Sequence, residues 1–309
     1  MSKPVVYRAL APAKVNLGLF VGPTRASDGR HELVTVMQSI SLADELTLAP
    51  ASGGALTDEL DCPTLPGPPE ENLAWRALSA FRAATGWDTS PLRLSVRKSI
   101  PIAAGLGGGS ADAAAALRLA HAASGLGDEG LLRELGAQLG ADVPAQVTPG
   151  RWLATGAGEL LKSLPDPLPA LDLLVLPSTE RLSTAAVYGA ADGLGLARES
   201  DELARVREQL AGSLALGAPL PGARELLHND LQQAALSLLP EVGEALAAVS
   251  DAGAEHALVS GSGPTVLGLF GHANAAGRLR RALFELSSRD PAPVAAGSVG
   301  ASFGEVQTL

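Results

Sequence analysis

Cysteine is almost absent from this sequence of 309 residues: Cys62 is the only one. No disulfide can form within the chain, which favours a reducing, cytoplasmic location. The sequence also lacks an apolar run of the ~18 residues that a membrane-spanning helix needs. Its first residues do not contain the apolar stretch of a secretory signal. We therefore expect a cytoplasmic protein that has no membrane partner.

Positive charge is scarce as well. The 23 lysines and arginines are outnumbered by 33 acidic residues, which gives a net charge of −10. Because nucleic-acid-binding proteins carry a basic face, we expect no nucleic-acid partner. Lysine is especially rare, with four in the whole chain: Lys3, Lys14, Lys98 and Lys162. A lysine that remains where arginine is preferred suggests a need for a compact ammonium group.

Length and pattern predict two α+β domains. A chain of this length exceeds what one core usually supports, and a proline-rich stretch after residue 160 suggests a change of domain. We place the boundary between residues 1–160 and 161–309. The second half reads as strand, helix, strand, strand, helix, strand, which resembles a split βαβ arrangement.

The stretch from Ser99 to Asp112 contains four glycines and joins a predicted strand, 92–97, to a predicted helix, Ser110–Ser124. Glycine lets the backbone turn sharply and approach a ligand closely. A helix N-terminus offers unpaired N–H groups and the positive end of its dipole. This combination predicts a phosphate-binding loop.

The loop differs from the commonest phosphate-binding loops. It lacks the Gly-Lys-Ser/Thr of the P-loop, and Ser110 stands where the dinucleotide fingerprint needs a third glycine. A flexible linker is the other interpretation. Pro101 and the helix that follows flank the run tightly, and this favours a structured loop over a linker.

Four other polar residues are candidates for function, and each has a plainer alternative. Lys14 and Asn16 are two apart in a predicted strand and so leave the same face, but a lysine is also typical of a solvated edge strand. Asp142 lies between a glycine and a proline in an apolar stretch. It is either a turn residue or a buried functional carboxylate. Lone turn histidines such as His31 are commonly just solvated.

Taken together, three segments resemble the motifs of the GHMP kinases: Pro12–Leu17, Pro101–Ser110 and Ser260–Pro264. Within that superfamily the chain is most similar to the 4-diphosphocytidyl-2-C-methyl-D-erythritol kinase family. The narrower resemblance rests on the start of the first motif, on Asp28-Gly29 followed by His31, on the glycines at 107–109, and on Gly140–Pro144. It implies a ribosomal-protein-S5-like N-terminal domain, a ferredoxin-like C-terminal domain, and a site in the cleft between them.

The resemblance also implies a reaction and its residues. ATP, with Mg²⁺, would phosphorylate the 2-hydroxyl of a cytidine-diphosphate sugar alcohol in the non-mevalonate isoprenoid pathway. Lys14 and Asp142 would be catalytic, while Asn16, Arg30 and His31 would bind this small-molecule substrate. The nucleotide-binding candidates are Pro101, Ile102, Ala103, Ala104, Gly105, Leu106, Gly107, Gly108, Gly109, Ser110, Ala111 and Lys98.

Some of these roles leave alternatives open. Ser110 either caps the helix, which would be sufficient explanation for it, or helps to coordinate Mg²⁺. Lys98 either touches the nucleotide or is an exposed strand end. Asn229 and Asp230 are expected to stabilise the second domain. We expect a monomer or a homodimer.

The sequence departs from the family pattern at three positions. Arg30 stands where tyrosine is common, although a guanidinium can also stack on a base. Ala111 replaces a usual serine, and Gln232 replaces a usual glutamate. The competing interpretations are another small-alcohol GHMP kinase, acting on homoserine or mevalonate, or an inactive binding member of the superfamily. Retention of both Lys14 and Asp142 argues against the inactive member.

Overall fold

The computed structural model describes residues 5–51, 53, 55–220, 224–271 and 274–309. They form an α+β fold of two sheets with helices packed against them. The strands are β1 (Tyr7–Thr24), β2 (His31–Pro50), β3 (Glu59–Asp61), β4 (Leu92–Arg97), β5 (Arg151–Thr155), β6 (Leu160–Leu164), β7 (Asp172–Leu176), β8 (His256–Val259), β9 (Val266–Phe270), β10 (Val294–Gly297) and β11 (Gln307–Thr308).

The helices lie in the segments between these strands. They are α1 (Leu73–Thr85), α2 (Gly108–Ser124), α3 (Glu129–Leu139), α4 (Val143–Val147), α5 (Thr184–Leu194), α6 (Ser200–Leu214), α7 (Gln232–Leu238), α8 (Glu241–Asp251) and α9 (Ala275–Glu285). Short 3-10 helices lie at Pro69–Glu71, Arg224–Leu226 and Ala301–Gly304. No helix within the described ranges is long and apolar enough to cross a membrane.

The first sheet is built on the long antiparallel pair β1 and β2. Its order is β11–β1–β2–β4–β3; β5 pairs with the first half of β2, and β6 pairs with β5. Helix α2 packs against both long strands, and α6 also contacts them. The centre of β1 is consequently buried along its whole length, from Ala11 to Val21. Any polar side chain in that segment is therefore buried and needs hydrogen-bond partners within the protein.

Helix α2 starts earlier than its sequence pattern predicts. The predicted start at Ser110 is wrong, because the N-cap is Gly107, at φ +68°, and Gly108 and Gly109 are already helical. Ser110 is thus inside the first turn and does not cap the helix. Alanines make up most of its buried residues, and these short side chains let the helix pack closely on the sheet. Gly125, at φ +69°, ends it as expected.

The second sheet has the order β10–β7–β9–β8, and all its pairings are antiparallel. This is the strand order of a ferredoxin-like domain, and α5, α6 and α7 are additional helices between β7 and α8. The order predicted for the second half, strand, helix, strand, strand, helix, strand, is found as β7, α8, β8, β9, α9 and β10.

The two sheets share one continuous core, which includes side chains from β1, α2, β7 and β9. Isolated bridges join Leu19 to Asn229 and Ile40 to Ser298. β6 spans the predicted boundary at residue 160 and belongs to the first sheet, as does β11. The division into residues 1–160 and 161–309 stays a prediction.

Candidate active site

A cleft of about 830 Å³ lies where the first sheet, the glycine loop and α5 meet. Its walls include Lys14 and Asn16 from β1, and Gly105, Gly107 and Ser110 from the loop and the start of α2. Further lining residues come from segments far apart in the sequence: Arg30, His31, Asp142, Tyr188 and Ser262. The cleft therefore brings together residues from all three motifs that sequence analysis singled out.

Lys14 is a buried lysine and not a residue of a solvated edge strand. Its side chain is only 11% exposed, and its Nζ donates to Oδ1 of Asn16 at 3.0 Å. Nδ2 of Asn16 in turn donates to the hydroxyl of Thr35 on β2. The two side chains share a face, as their spacing predicted, and β2 supplies the group that holds Asn16 in place.

Asp142 completes an ion pair with Lys14, with Oδ2 and Nζ 3.3 Å apart. The residue occupies the N-cap position of α4, but its side chain makes no capping hydrogen bond. The side chain therefore does not make the local backbone bond expected of a turn residue, and it is half-buried where the other alternative expected a buried carboxylate. With 36% of the side chain exposed, the carboxylate can reach both Lys14 and a ligand in the cleft.

The glycine loop is attached to β1 through its backbone. The N–H of Lys14 donates to the carbonyl of Leu106 at 2.9 Å. Within the loop, Ala104, Leu106 and Ala111 are buried, whereas Ile102, Ala103 and Gly109 are exposed, and the others are intermediate. The side chains of the buried residues pack in the core, so their contribution to ligand binding can come only from the backbone.

The third motif, Ser260–Pro264, packs against the glycine loop and lies next to Lys14. A Cβ on Gly105 would lie 2.8 Å from the carbonyl oxygen of Ser260, and a Cβ on Gly261 would lie 3.9 Å from Nζ of Lys14. The amide of Asn229 donates to the carbonyls of Val259 and Gly261. This agrees with the expectation that Asn229 stabilises the second domain.

Lys98 is neither an exposed strand end nor a residue of the cleft wall. Its side chain is 5% exposed and forms ion pairs with Asp44 of β2 and, at 2.6 Å, with Asp112 of α2. Asp44 also accepts hydrogen bonds from the backbone N–H groups of Ser99 and Ile100. The cluster therefore fixes the strand end and the helix on either side of the glycine loop.

Burial is the main influence on Asp112. It raises the pKa of Asp112 to about 7, against the opposing effect of the Lys98 ammonium, and the charge of Asp44 raises this pKa further. Near neutral pH the carboxyl group is therefore partly protonated. Sequence reasoning identified Lys98 but missed both carboxylates, because nothing local indicates that residues from three separate elements meet.

His31 also lines the cleft, where it is held between β1 and α5. Its Nδ1 lies 2.9 Å from the carbonyl oxygen of Gly22, and its Nε2 lies 3.1 Å from Oδ1 of Asp192 on α5. Since a carbonyl only accepts, Nδ1 carries the hydrogen. The alternative of a solvated turn histidine is wrong. Arg30 also lines the cleft, with its guanidinium donating to the carbonyl of Ala157.

Tyr188 is the functional candidate that sequence reasoning missed. Its ring centroid lies 5.4 Å from that of His31, at an interplanar angle of 30°. Burial, and then the charge of Asp142, raise the pKa of Tyr188, so its phenol stays protonated. It is one of only two tyrosines, and that scarcity was the available signal.

Comparison with known proteins agrees with this arrangement. Family models for the N-terminal and C-terminal domains of GHMP kinases match residues 72–150 and 217–287. A 4-diphosphocytidyl-2-C-methyl-D-erythritol kinase of Pelotomaculum thermopropionicum is 42% identical over 268 residues, covering 86% of this chain and 89% of that protein. The chain belongs to the 4-diphosphocytidyl-2-C-methyl-D-erythritol kinase family of the GHMP kinases.

Other members of the 4-diphosphocytidyl-2-C-methyl-D-erythritol kinase family match equally broadly. The Corynebacterium glutamicum protein of that name is 39% identical over 286 residues, covering 90% of this chain and 89% of its own. A crystal structure of 4-(cytidine 5'-diphospho)-2C-methyl-D-erythritol kinase superposes with a TM-score of 0.73 at 35% identity and covers 95% of this chain and 99% of that one.

A homoserine kinase from Cytophaga hutchinsonii has a TM-score of 0.71 but only 17% identity, over 100% of this chain and 98% of its own, so that likeness concerns the fold alone. Membership in the 4-diphosphocytidyl-2-C-methyl-D-erythritol kinase family confirms the predicted fold class and makes the chain an ATP-dependent small-molecule kinase.

Proposed function

We propose that this kinase transfers the γ-phosphoryl group of ATP to the 2-hydroxyl of 4-diphosphocytidyl-2-C-methyl-D-erythritol, a step of the non-mevalonate isoprenoid pathway. The relatives that carry this name cover most of the chain. The catalytic roles that we assign to Lys14 and Asp142 are supported by their ion pair, which lines the same cleft as the glycine loop.

Asp142 acts as the general base. An alcohol is a weak nucleophile, and a carboxylate within hydrogen-bond reach can accept its proton as the new P–O bond forms. Lys14 holds this carboxylate from one side. Its ammonium also stabilises the negative charge that develops on the transferring phosphoryl group. Asn16 fixes the ammonium, because its Oδ1 accepts one of the three N–H bonds.

The glycine loop holds the phosphates of ATP. Backbone N–H groups at the start of α2 and the helix dipole favour anions at Gly107–Ser110. Lys98 forms ion pairs with Asp44 and Asp112, and these pairs hold the two segments that flank the glycine loop. Its contribution to nucleotide binding is therefore indirect.

The cleft offers oxygen donors of the kind that Mg²⁺ prefers. The carboxylate of Asp142 and the hydroxyl of Ser110 both line it, and Mg²⁺ is commonly held by one or two such groups together with substrate phosphates. When bound, the ion neutralises phosphate charge. Ser110 is the residue that would hold it together with the phosphates of ATP, since the carboxylate of Asp142 is engaged by Lys14 and serves as the base.

Arg30, His31 and Tyr188 bind the cytidine end of the substrate. The Tyr188 ring and the Arg30 guanidinium are both flat groups that can stack on a base, and both border the cleft near His31. Tyr188 thereby supplies the aromatic surface that position 30 lacks. The anchoring of Arg30 to Ala157 keeps its guanidinium on the cleft wall.

Turnover assays with the purified protein test this proposal. ATP consumption in the presence of Mg²⁺ should require the cytidine-diphosphate substrate, and homoserine and mevalonate should not replace it. Preference for either control alcohol would contradict the substrate assignment. An Asp142→Asn variant that binds ATP but turns over as fast as the wild type would exclude Asp142 as the base.

A further inference from the structure

Gln146 is a buried polar residue that the proposed mechanism does not use. It is 2% exposed, and neither Nε2 nor Oε1 has a hydrogen-bond partner among the residues that the structure describes. It lies on α4, one turn after Asp142. An unpaired buried amide is destabilising, whereas an apolar side chain of the same size in that place is not. Such a residue indicates that a partner is supplied in another state of the protein.

The surroundings of Gln146 show where that partner would come from. A Cβ on Gly107 would lie 3.4 Å from Nε2 of Gln146 and 2.9 Å from Cγ of Lys14. The amide is therefore adjacent to the N-cap of α2 and to the stem of the catalytic lysine. Any side chain at position 107 would separate the amide from the loop backbone.

The second fully buried glutamine offers a contrast. Gln38 is 0% exposed. Its Oε1 accepts from Nε of Arg151 at 2.8 Å, and its Nε2 donates to the carbonyl of Ser39 at 2.9 Å. A glutamine with a structural role in this protein is thus paired at both ends. Gln146 differs from Gln38 because neither of its amide atoms is paired.

We propose that Gln146 is a positioning residue whose amide pairs with the backbone of the glycine loop beside Gly107 once nucleotide phosphates are bound. The pairing fixes the loop relative to Lys14. This inference rests on the proposed function, because it takes the glycine loop to be the site of ATP phosphates.

Nucleotide binding can drive this pairing only through differential binding. A ligand shifts a protein toward a conformation only if it interacts better with that conformation. In the free enzyme the amide is unpaired. When the loop turns its N–H groups to phosphate, a peptide group beside Gly107 can pair with Gln146, and nucleotide affinity gains by one hydrogen bond. Since Lys14 N–H donates to the carbonyl of Leu106, the same movement reaches the catalytic lysine.

The test compares Gln146→Met with the wild type. Methionine has similar size and no amide, so the melting temperature of the free variant should rise by about 2 °C. Its affinity for a non-hydrolysable ATP analogue, measured by calorimetry, should fall by about 2- to 10-fold, the contribution of one neutral hydrogen bond. KM for ATP should rise, while KM for the alcohol substrate stays unchanged. A stability gain with an affinity loss is the expected signature.

Gln38→Met is the matched control. It should lower the melting temperature, because it removes the acceptor of Nε of the buried Arg151, and it should leave nucleotide affinity unchanged. A lower melting temperature for Gln146→Met would show that the amide is already paired in the free enzyme. Unchanged nucleotide affinity would show that the nucleotide does not use it. Either result overturns the inference.

The proposed function can fail separately from this inference. Analogue binding needs no acceptor alcohol, so the effect of Gln146→Met is measurable even if the cytidine substrate is not turned over. Conversely, normal turnover with the cytidine substrate and unchanged analogue affinity in Gln146→Met would leave the proposed function standing and the inference overturned. A second variant, Gln146→Leu, should behave like Gln146→Met, with a higher melting temperature and a lower affinity for the ATP analogue. A lower melting temperature or a higher affinity would contradict the proposal.

Discussion

Oδ2 of Asp142 lies 3.3 Å from Nζ of Lys14, and the two residues reach each other from the first strand and from the N-terminus of α4. The backbone of Lys14 also holds the glycine loop through Leu106, so one lysine connects the glycine loop to the proposed base. This connection explains why both residues are expected to affect the chemical step.

Removing either member of this pair should lower kcat. We expect Asp142→Asn to reduce kcat by about 10²- to 10⁴-fold, the usual contribution of a general base. Lys14→Met should cost about 10²- to 10³-fold through lost charge stabilisation. Steady-state kinetics measure both. The exposed residues Lys162 and Asp251 provide controls, since Lys162→Met and Asp251→Asn should leave kcat unchanged.

Gly105→Ala should weaken both stability and ATP binding. Gly105 has φ +73°, and its Cβ would lie 2.8 Å and 3.0 Å from the carbonyl oxygens of Ser260 and Gly263. The left-handed conformation alone costs alanine about 1–2 kcal/mol in the free energy of unfolding. The contact with rigid backbone should add to this cost and displace the loop, which would raise KM for ATP.

Gly86→Ala separates these two effects. Gly86 has a similar φ of +65°, but its Cβ would meet nothing within 4 Å. Urea denaturation should therefore show only the conformational cost, and KM for ATP should not change. Equal losses in the two variants would mean that the third motif does not constrain the loop.

Titration of Asp112 should make stability depend on pH. Its pKa is about 7 in the folded chain and near 3.8 when unfolded. Between these values the folded state binds more protons than the unfolded state, so the free energy of unfolding falls as pH rises from about 4 to about 7. Asp112→Asn removes this contribution. Denaturation at pH 5, 6, 7 and 8 should show the wild type losing stability relative to the variant as pH rises. A constant difference across this range would contradict the prediction.

Tyr188→Leu should weaken binding of the cytidine substrate without affecting ATP. Stacking of a base on an aromatic ring contributes about 1–3 kcal/mol, so KM for the cytidine substrate should rise at least 5-fold. Tyr188→Phe keeps the ring and should remain close to the wild type. If both variants retain the wild-type KM, the cytosine ring does not stack on this residue.

Most of the long elements could be predicted because their patterns are local. In helix α1 (Leu73–Thr85), apolar residues recur at helical spacing along the sequence, and Gly86 ends the helix as its left-handed cap. The short elements β3, β6, α4, α7 and β11 were missed. A helix of five residues such as α4 has too few apolar positions to show a period. Its place depends on packing against α2 and α3.

The candidate site likewise contains residues that the sequence could predict and residues that it could not. Lys14, Asn16, Asp142 and the glycine loop could be selected from residue type and spacing, with the family resemblance supplying their roles. Tyr188 was missed, because scarcity was its only signal: its neighbour His31 is remote in sequence, and only the packing of α5 brings their rings together. Lys98 was selected for its position, but the partners that explain it lie on β2 and α2.

The sequence by itself determined the class of fold, the position of the glycine loop and which charged groups are available, because glycine conformation and side-chain charge are properties of single residues and short segments. Only the tertiary structure decided which groups are paired. It buried Lys14 beside Asp142, enclosed Lys98 between two carboxylates, and left the amide of Gln146 unpaired beside Gly107. Pairing and burial depend on contacts between distant segments, and these form only when the two sheets and their helices pack together.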